Sequence, residues 1–265
     1  LREFDAPGSF VAFPQEHGVL MTESSRRQSS YLWLSLAVAA TAYYGFSLTY
    51  FGPMLAGEYP DSSPTVHLHG WTFFLWYLVF PLQSGLIKFK RVAWHRLLGT
   101  GSVALAVAMV GTGLVVIGTQ MEAARQPDGP AFWLETGPAV FSTLVVFTLF
   151  YVLGIRARRD RDRHRRFMLL ASTGALGAAA FRIVSQFMGF GAATVLVGIL
   201  ATNLFVVVAI VMDWRRGRGI HRVYRYGLPF SVGLEAGTFL LTPTAAGRAV
   251  AEALAWIGRM TAPLY

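Results

Sequence analysis

The chain contains no cysteine. That absence removes disulfides, thiolate metal sites, iron–sulfur clusters and a cysteine nucleophile from consideration. Charge is scarce as well: Asp, Glu, Lys and Arg make up 14% of the 265 residues, where a water-facing surface of this size calls for roughly a quarter. None of the long apolar stretches carries a lysine that could hold retinal as a Schiff base. A phosphate-cradling glycine loop followed by lysine, a Gly-x-Ser-x-Gly elbow and a His-Glu-x-x-His helix are all missing. Inverted repeats of the transporter kind are not evident.

Apolar residues fill the gap, at 54% of the chain with a mean hydropathy of +0.47. Lipid is the solvent that composition fits. A helix crosses the hydrocarbon core with about 20 mostly apolar residues, and seven such stretches are present, over 31–51, 67–87, 97–117, 132–155, 167–188, 194–212 and 226–241. They are too long for barrel strands and lack in–out alternation, so helices must satisfy the backbone. The seventh is short and is interrupted by Pro229 and Glu235. Beyond it, Arg248, Glu252 and Arg259 fall near one helical face and Val250, Leu254 and Ile257 near another, the pattern of a helix lying in the interface. The expected fold is an all-α, polytopic transmembrane bundle of about seven spans with a C-terminal interfacial amphipathic helix. Residues 1–30 form an N-terminal arm, 31–243 the bundle and 244–265 the C-terminal helix and tail. Met21-Thr22-Glu23 reads like a start, so residues 1–20 are expected to be an upstream extension, either an arm lying on a partner or a loose tail.

Nineteen of the 23 basic residues fall before the first span or in the second-to-third, fourth-to-fifth and sixth-to-seventh connections. By the positive-inside rule this side is cytoplasmic. The expected location is therefore a bacterial inner membrane, N-terminus inside and C-terminus outside. The short arginine runs suit anionic headgroups; being split among loops, they do not suit nucleic acid. Trp71, Trp76, Trp94, Trp133, Trp214 and Trp256 include several at span ends, where aromatic belts form.

Ionisable groups at membrane depth are costly and so are functional candidates. On the outer side, His67, His69, Glu135, Arg182 and Gln186 fall at similar depth and could line one ligand pocket, or form a network that clips helix ends together. A metal at His67-x-His69 lacks a third strong ligand, and no metal site or catalytic set is assigned. On the inner side, His95 and His164 begin the third and fifth spans and could clamp a b-type haem axially, with neighbouring arginines on its propionates; equally, they could meet lipid phosphate or cap helix ends. Gln83 and Asn203 read as interhelical hydrogen-bond formers. Glu235 reads as a proton carrier, an arginine's partner, or a group partly exposed to water.

His67-x-His69-Gly70 with Gln83, Trp94-His95-Arg96-x-x-Gly99, and His164-Arg165-Arg166-Phe167-Met168 with Arg182 together resemble a group of uncharacterised bacterial multi-pass membrane proteins. The match covers roughly residues 30–243 and carries no activity over. More distantly, the pattern is similar to cytochromes of the b561 type, where histidines on alternating helices hold two b haems. That resemblance implies His95 and His164 as one ligand pair; the other would need a histidine on the fourth span, which has none. The His69-Gly70 opening is also similar to a haem-ligand helix of haem–copper oxidases, whose further histidines are absent here. The expected function is a non-catalytic accessory subunit of a larger respiratory or photosynthetic electron-transfer complex, contacting lipids and membrane-protein partners. The alternatives are a redox protein binding a b haem or a quinone, and a transporter or sensor for a small anion.

Overall fold

The computed structural model describes the backbone of residues 16–265 and the side chains of residues 29–265. The reading of residues 1–20 as an extension, and most of the arm placed over 1–30, lie outside what is described. Every regular element among the described residues is helical. In order these are α1 (Glu16–Phe46), a π-helical turn (Ser47–Phe51), α2 (Gly52–Ala56), α3 (Pro64–Lys88), α4 (Val92–Ala123), α5 (Phe132–Arg156) and α6 (Arg161–Gly174). They are followed by α7 (Gly177–Met188), α8 (Ala192–Thr202), α9 (Leu204–Trp214), α10 (Arg222–Leu241), α11 (Ala245–Thr261) and a short 3₁₀ turn (Ala262–Leu264).

Side-chain caps fix several helix starts. Ser63 accepts from the Val66 amide ahead of Pro64, Asp160 accepts from the amides of Asp162 and Arg163, and Thr244 accepts from that of Gly247. Each satisfies backbone donors that a helix leaves open at its first turn.

Five of the helical stretches are long and apolar enough to cross a membrane: Ser29–Ala56, α3, α4, α5, and α8 with α9 as one run. The pair α6 and α7 qualifies together but bends by 48°. The protein is thus a membrane-spanning helical bundle. The seventh expected span, α10, falls outside this set because Arg222, Arg225 and Glu235 lower its hydropathy. It nevertheless runs the length of the bundle. Tyr224 near its start hydrogen-bonds Tyr31, 3.0 Å between hydroxyls, while Phe239 packs with Phe181, Val195 and Ile199 at the other end.

Contacts sort the helix ends into two groups. At one end the start of α6 meets the start of α4 through His164–His95, the end of α5 through His164–Gly154 and the end of α9 through Arg166–Asp213, and the start of α10 meets α1 through Tyr224–Tyr31. This is the basic end, because the three arginine- and lysine-rich connections all lie there. At the opposite end His69 reaches Thr112, Gly137 of α5 abuts Met121 of α4, and Gln120 donates to the Tyr265 hydroxyl at 3.0 Å. Tyr31 of α1 and the C-terminal Tyr265 therefore lie at opposite ends.

The core between them is closed by Val38, Ala42, Tyr77, Phe147, Leu170 and Leu176, all almost fully buried. Small residues set the helix spacing. A β-carbon on Gly198 would come within 2.6 Å of the Phe181 backbone, so α8 and α7 are in direct main-chain contact, as small-residue packing allows.

The C-terminal helix α11 docks firmly on α4. A β-carbon on Gly118 would lie 2.7 Å from the Gly258 amide nitrogen, and Leu254 and Ala255 are buried against Ile117, Met121 and Leu144. Arg259 pairs with Glu122 at 2.7 Å, and Glu252 pairs with Arg125. The hydrogen bond from Arg125 holds the Glu252 carboxyl below the usual carboxylate range. The opposite face keeps Trp256 and Met260 exposed.

Candidate functional site

At the basic end His95 and His164 converge, with ring centroids 6.2 Å apart and planes at 90°. The Asp160 cap sets where α6 begins and so places His164 in its first turn. Its Nδ1 hydrogen donates to the Gly154 carbonyl at 2.8 Å, an orienting bond that leaves Nε2 uncommitted. Across from it, His95 Nδ1 is buried with no partner, and so is Oε1 of Gln83 from α3. Gly99 makes room for that amide: a β-carbon there would already be 3.4 Å from Gln83 Nε2. Behind them Ser102 and Tyr151 share a 3.0 Å hydrogen bond, and Trp76 and Phe147 pack edge-on and stacked against Tyr151.

A groove of about 280 Å³ runs between α3 and α4, lined by Leu82, Leu86, Trp94, Leu97 and Leu98. Trp94 precedes His95 in sequence, Leu98 follows it three residues on, and Leu82 precedes Gln83. Leu82, Trp94 and Leu97 are exposed, so the groove opens sideways, toward the lipid.

The same end holds an ion pair that sequence reasoning missed. Arg166 Nη2 and Nε donate to Asp213 Oδ2 at 2.5 and 3.2 Å, and Nη1 donates to the Asp162 carbonyl at 2.7 Å. Both side chains are almost fully buried (2% and 1% exposed), and the guanidinium lies over the Tyr224 ring. The usable signal was Asp213 as the sole acid closing a long apolar run on the side where the arginines sit.

At the opposite end the expected residues only partly gather. His67 Nδ1 is bonded to the Tyr50 hydroxyl at 2.9 Å and its ring abuts Tyr59. His69 is deeply placed, with Nδ1 3.4 Å from Thr112 Oγ1 and its ring on Phe73. Arg182 donates Nε to Thr49 Oγ1 at 2.7 Å and Nη1 to the Ala178 carbonyl at 2.8 Å, over the Phe46 ring. Gln186 is exposed and turns back to the Arg182 carbonyl. Glu135 is exposed in the first turn of α5, with no side-chain bond to the others. The π-helical turn joins this cluster, because it supplies both Thr49 and Tyr50; such turns frequently mark functional sites.

Midway along the bundle, Glu235 is 1% exposed and accepts a 2.9 Å hydrogen bond from Asn203 Nδ2 at the joint of α8 and α9. Its partner is thus an amide rather than an arginine, and water does not reach it. Among the described residues, no group of three or more His, Asp or Glu side chains could hold a metal ion.

The chain matches no protein-family model, no curated protein and no solved structure.

Proposed function

We propose that this integral membrane protein binds a lipid-soluble quinone at its basic end, as a membrane subunit serving electron transfer. One juxtaposition carries the reading: two buried hydrogen-bonding atoms without partners, His95 Nδ1 and Gln83 Oε1, belong to residues next in the chain to Trp94 and Leu82, which line an apolar groove between the same two helices. Buried polar atoms without partners are rare and costly, and a ligand with matching groups removes the cost. An imidazole N–H can donate to a quinone carbonyl, and an amide oxygen can accept the O–H of the quinol. The prenyl-like tail of such a molecule suits a leucine- and tryptophan-lined groove.

A single b haem would use the same two histidines, and His164 Nε2 is free for that role. The groove argues for the smaller guest: about 280 Å³ lies at the low edge of small-molecule pockets, roughly 300–1,000 Å³, and suits one ring rather than a tetrapyrrole. A second haem lacks ligands, since α5 has no histidine and the Nδ1 atoms of His67 and His69 face Tyr50 and Thr112.

The test is to purify the protein in lipid, record its absorption spectrum, and titrate a short-chain ubiquinone analogue while following tryptophan fluorescence. Saturable quenching that is lost in His95→Ala and Gln83→Leu but kept in Arg182→Gln supports the proposal. A Soret band abolished by His95→Ala would replace quinone with haem, and no saturable binding in the folded protein would overturn the site.

A further inference from the structure

Arg182 is a cation set among helices with no carboxylate within salt-bridge distance among the described residues. Arg166, which is almost fully buried where Arg182 is half-buried, has Asp213. The contrast matters because a charge taken from water must be paired or given a polar ligand. The protein supplies Arg182 with only neutral contacts: the Thr49 hydroxyl, the Ala178 carbonyl and the Phe46 ring face. These fix Nε and Nη1 and hold the guanidinium in one orientation, while Nη2 makes no hydrogen bond among the described residues. Close by stand three more groups able to donate: the Tyr59 hydroxyl, which acts electrostatically on Arg182, His67 beside Tyr59, and the exposed Gln186 amide one turn along α7.

The end of the bundle that holds this cation also carries apolar side chains that face outward. Phe187 (86% exposed) and Leu55 (89% exposed) are among the most exposed side chains of the protein, and Met188, Phe190 and Trp71 are exposed as well. All lie at the same end as Arg182, on α2, at the start of α3, or at the α7–α8 corner. An oriented, uncompensated guanidinium with donors around it and an exposed aromatic and aliphatic rim has the chemistry of an amphiphile with an anionic head. Arginine's planar fork matches phosphate oxygens, and the rim matches acyl chains.

We infer that Arg182, oriented by Thr49 and flanked by Tyr59 and Gln186, binds the phosphate of an anionic phospholipid at the end of the bundle opposite the basic loops. This site is independent of the quinone site, so either can fail alone.

The experiment extracts the protein from vesicles of phosphatidylglycerol and phosphatidylcholine and counts retained lipids by native mass spectrometry. The wild type should keep phosphatidylglycerol, with about tenfold weaker retention in Arg182→Gln, the loss expected of one charge-assisted contact. Thr49→Val leaves the charge but removes its orientation and should lose retention partially; it also serves where Arg182→Gln does not fold. Inorganic phosphate added to lipid-free protein should neither raise the melting temperature nor displace the lipid. Equal retention by wild type and both variants overturns the inference, and so does stabilisation by free phosphate that vanishes in Arg182→Gln, which would make the ligand a soluble oxyanion.

Discussion

The buried Arg166–Asp213 pair shows how one side chain can carry stability. Removing one member of such a pair strands the other in a medium that cannot solvate it, at a cost of roughly 3–5 kcal/mol. Asp213→Ala should therefore lower the unfolding midpoint in detergent sharply. Asp162→Ala, at a half-exposed carboxylate beside the same arginine, should cost about 1 kcal/mol or less. Comparable effects of the two would contradict the assignment. His221 gives a pH signature of its own. Its Nδ1 caps α10 by accepting from the Val223 amide at 3.2 Å, which requires the neutral ring. Burial, and next the nearby Arg166 charge, lower its pKa, against the opposing pull of Asp162, Asp213 and Asp160. Below the unfolded value of about 6.5 the unfolded chain takes up the proton first, so the cap's contribution is intact above that pH and is lost as pH falls through the depressed folded value. Stability should decline over that window. His221→Asn, which caps without titrating, should flatten the slope when unfolding is followed from pH 7.5 to 5.

At the scale of elements, α11 is held by a glycine crossing that any side chain would obstruct. Gly258→Leu should prise it from α4, at a cost of about 1–3 kcal/mol, and expose the Thr242–Pro243–Thr244 connection to protease. Gly237→Ala, where a β-carbon meets nothing within 4 Å, is the control and should leave digestion unchanged. The helices themselves were legible in the sequence because apolar run length is a property of composition. The 48° break between α6 and α7 was not, since hydropathy sums residues without regard to direction. Its surroundings are long-range: Gly174 sits against Val146 and Gly177 against Ile199, contacts that no window along the chain contains. The convergence of His95 and His164 was legible, because counting spans put both at the same ends of neighbouring helices. The burial of Glu235 was not legible, because it depends on Asn203 arriving from another helix, and neither was the role of Thr49, which depends on a local widening of the helical turn.

For the molecule as a whole, Tyr31 of the first described helix and the C-terminal Tyr265 lie at opposite ends of the bundle. With 19 of 23 basic residues favouring one side, we expect the basic end to face the cytoplasm. A reporter fused after Tyr265 and one inserted in the loop near Arg159 should then report opposite compartments; the same compartment for both would refute the threading.

The pairing of Arg166 with Asp213 also has a consequence in time. The two are 47 residues apart, so at synthesis rates of roughly 5–20 residues per second the arginine is added to the chain some 2–9 seconds before its counter-ion. During that interval the nascent α6 carries an unmatched positive charge at the basic end, where it can borrow a lipid phosphate. Translation of α9 then releases that loan, making the final fit of the basic end a late event in biogenesis.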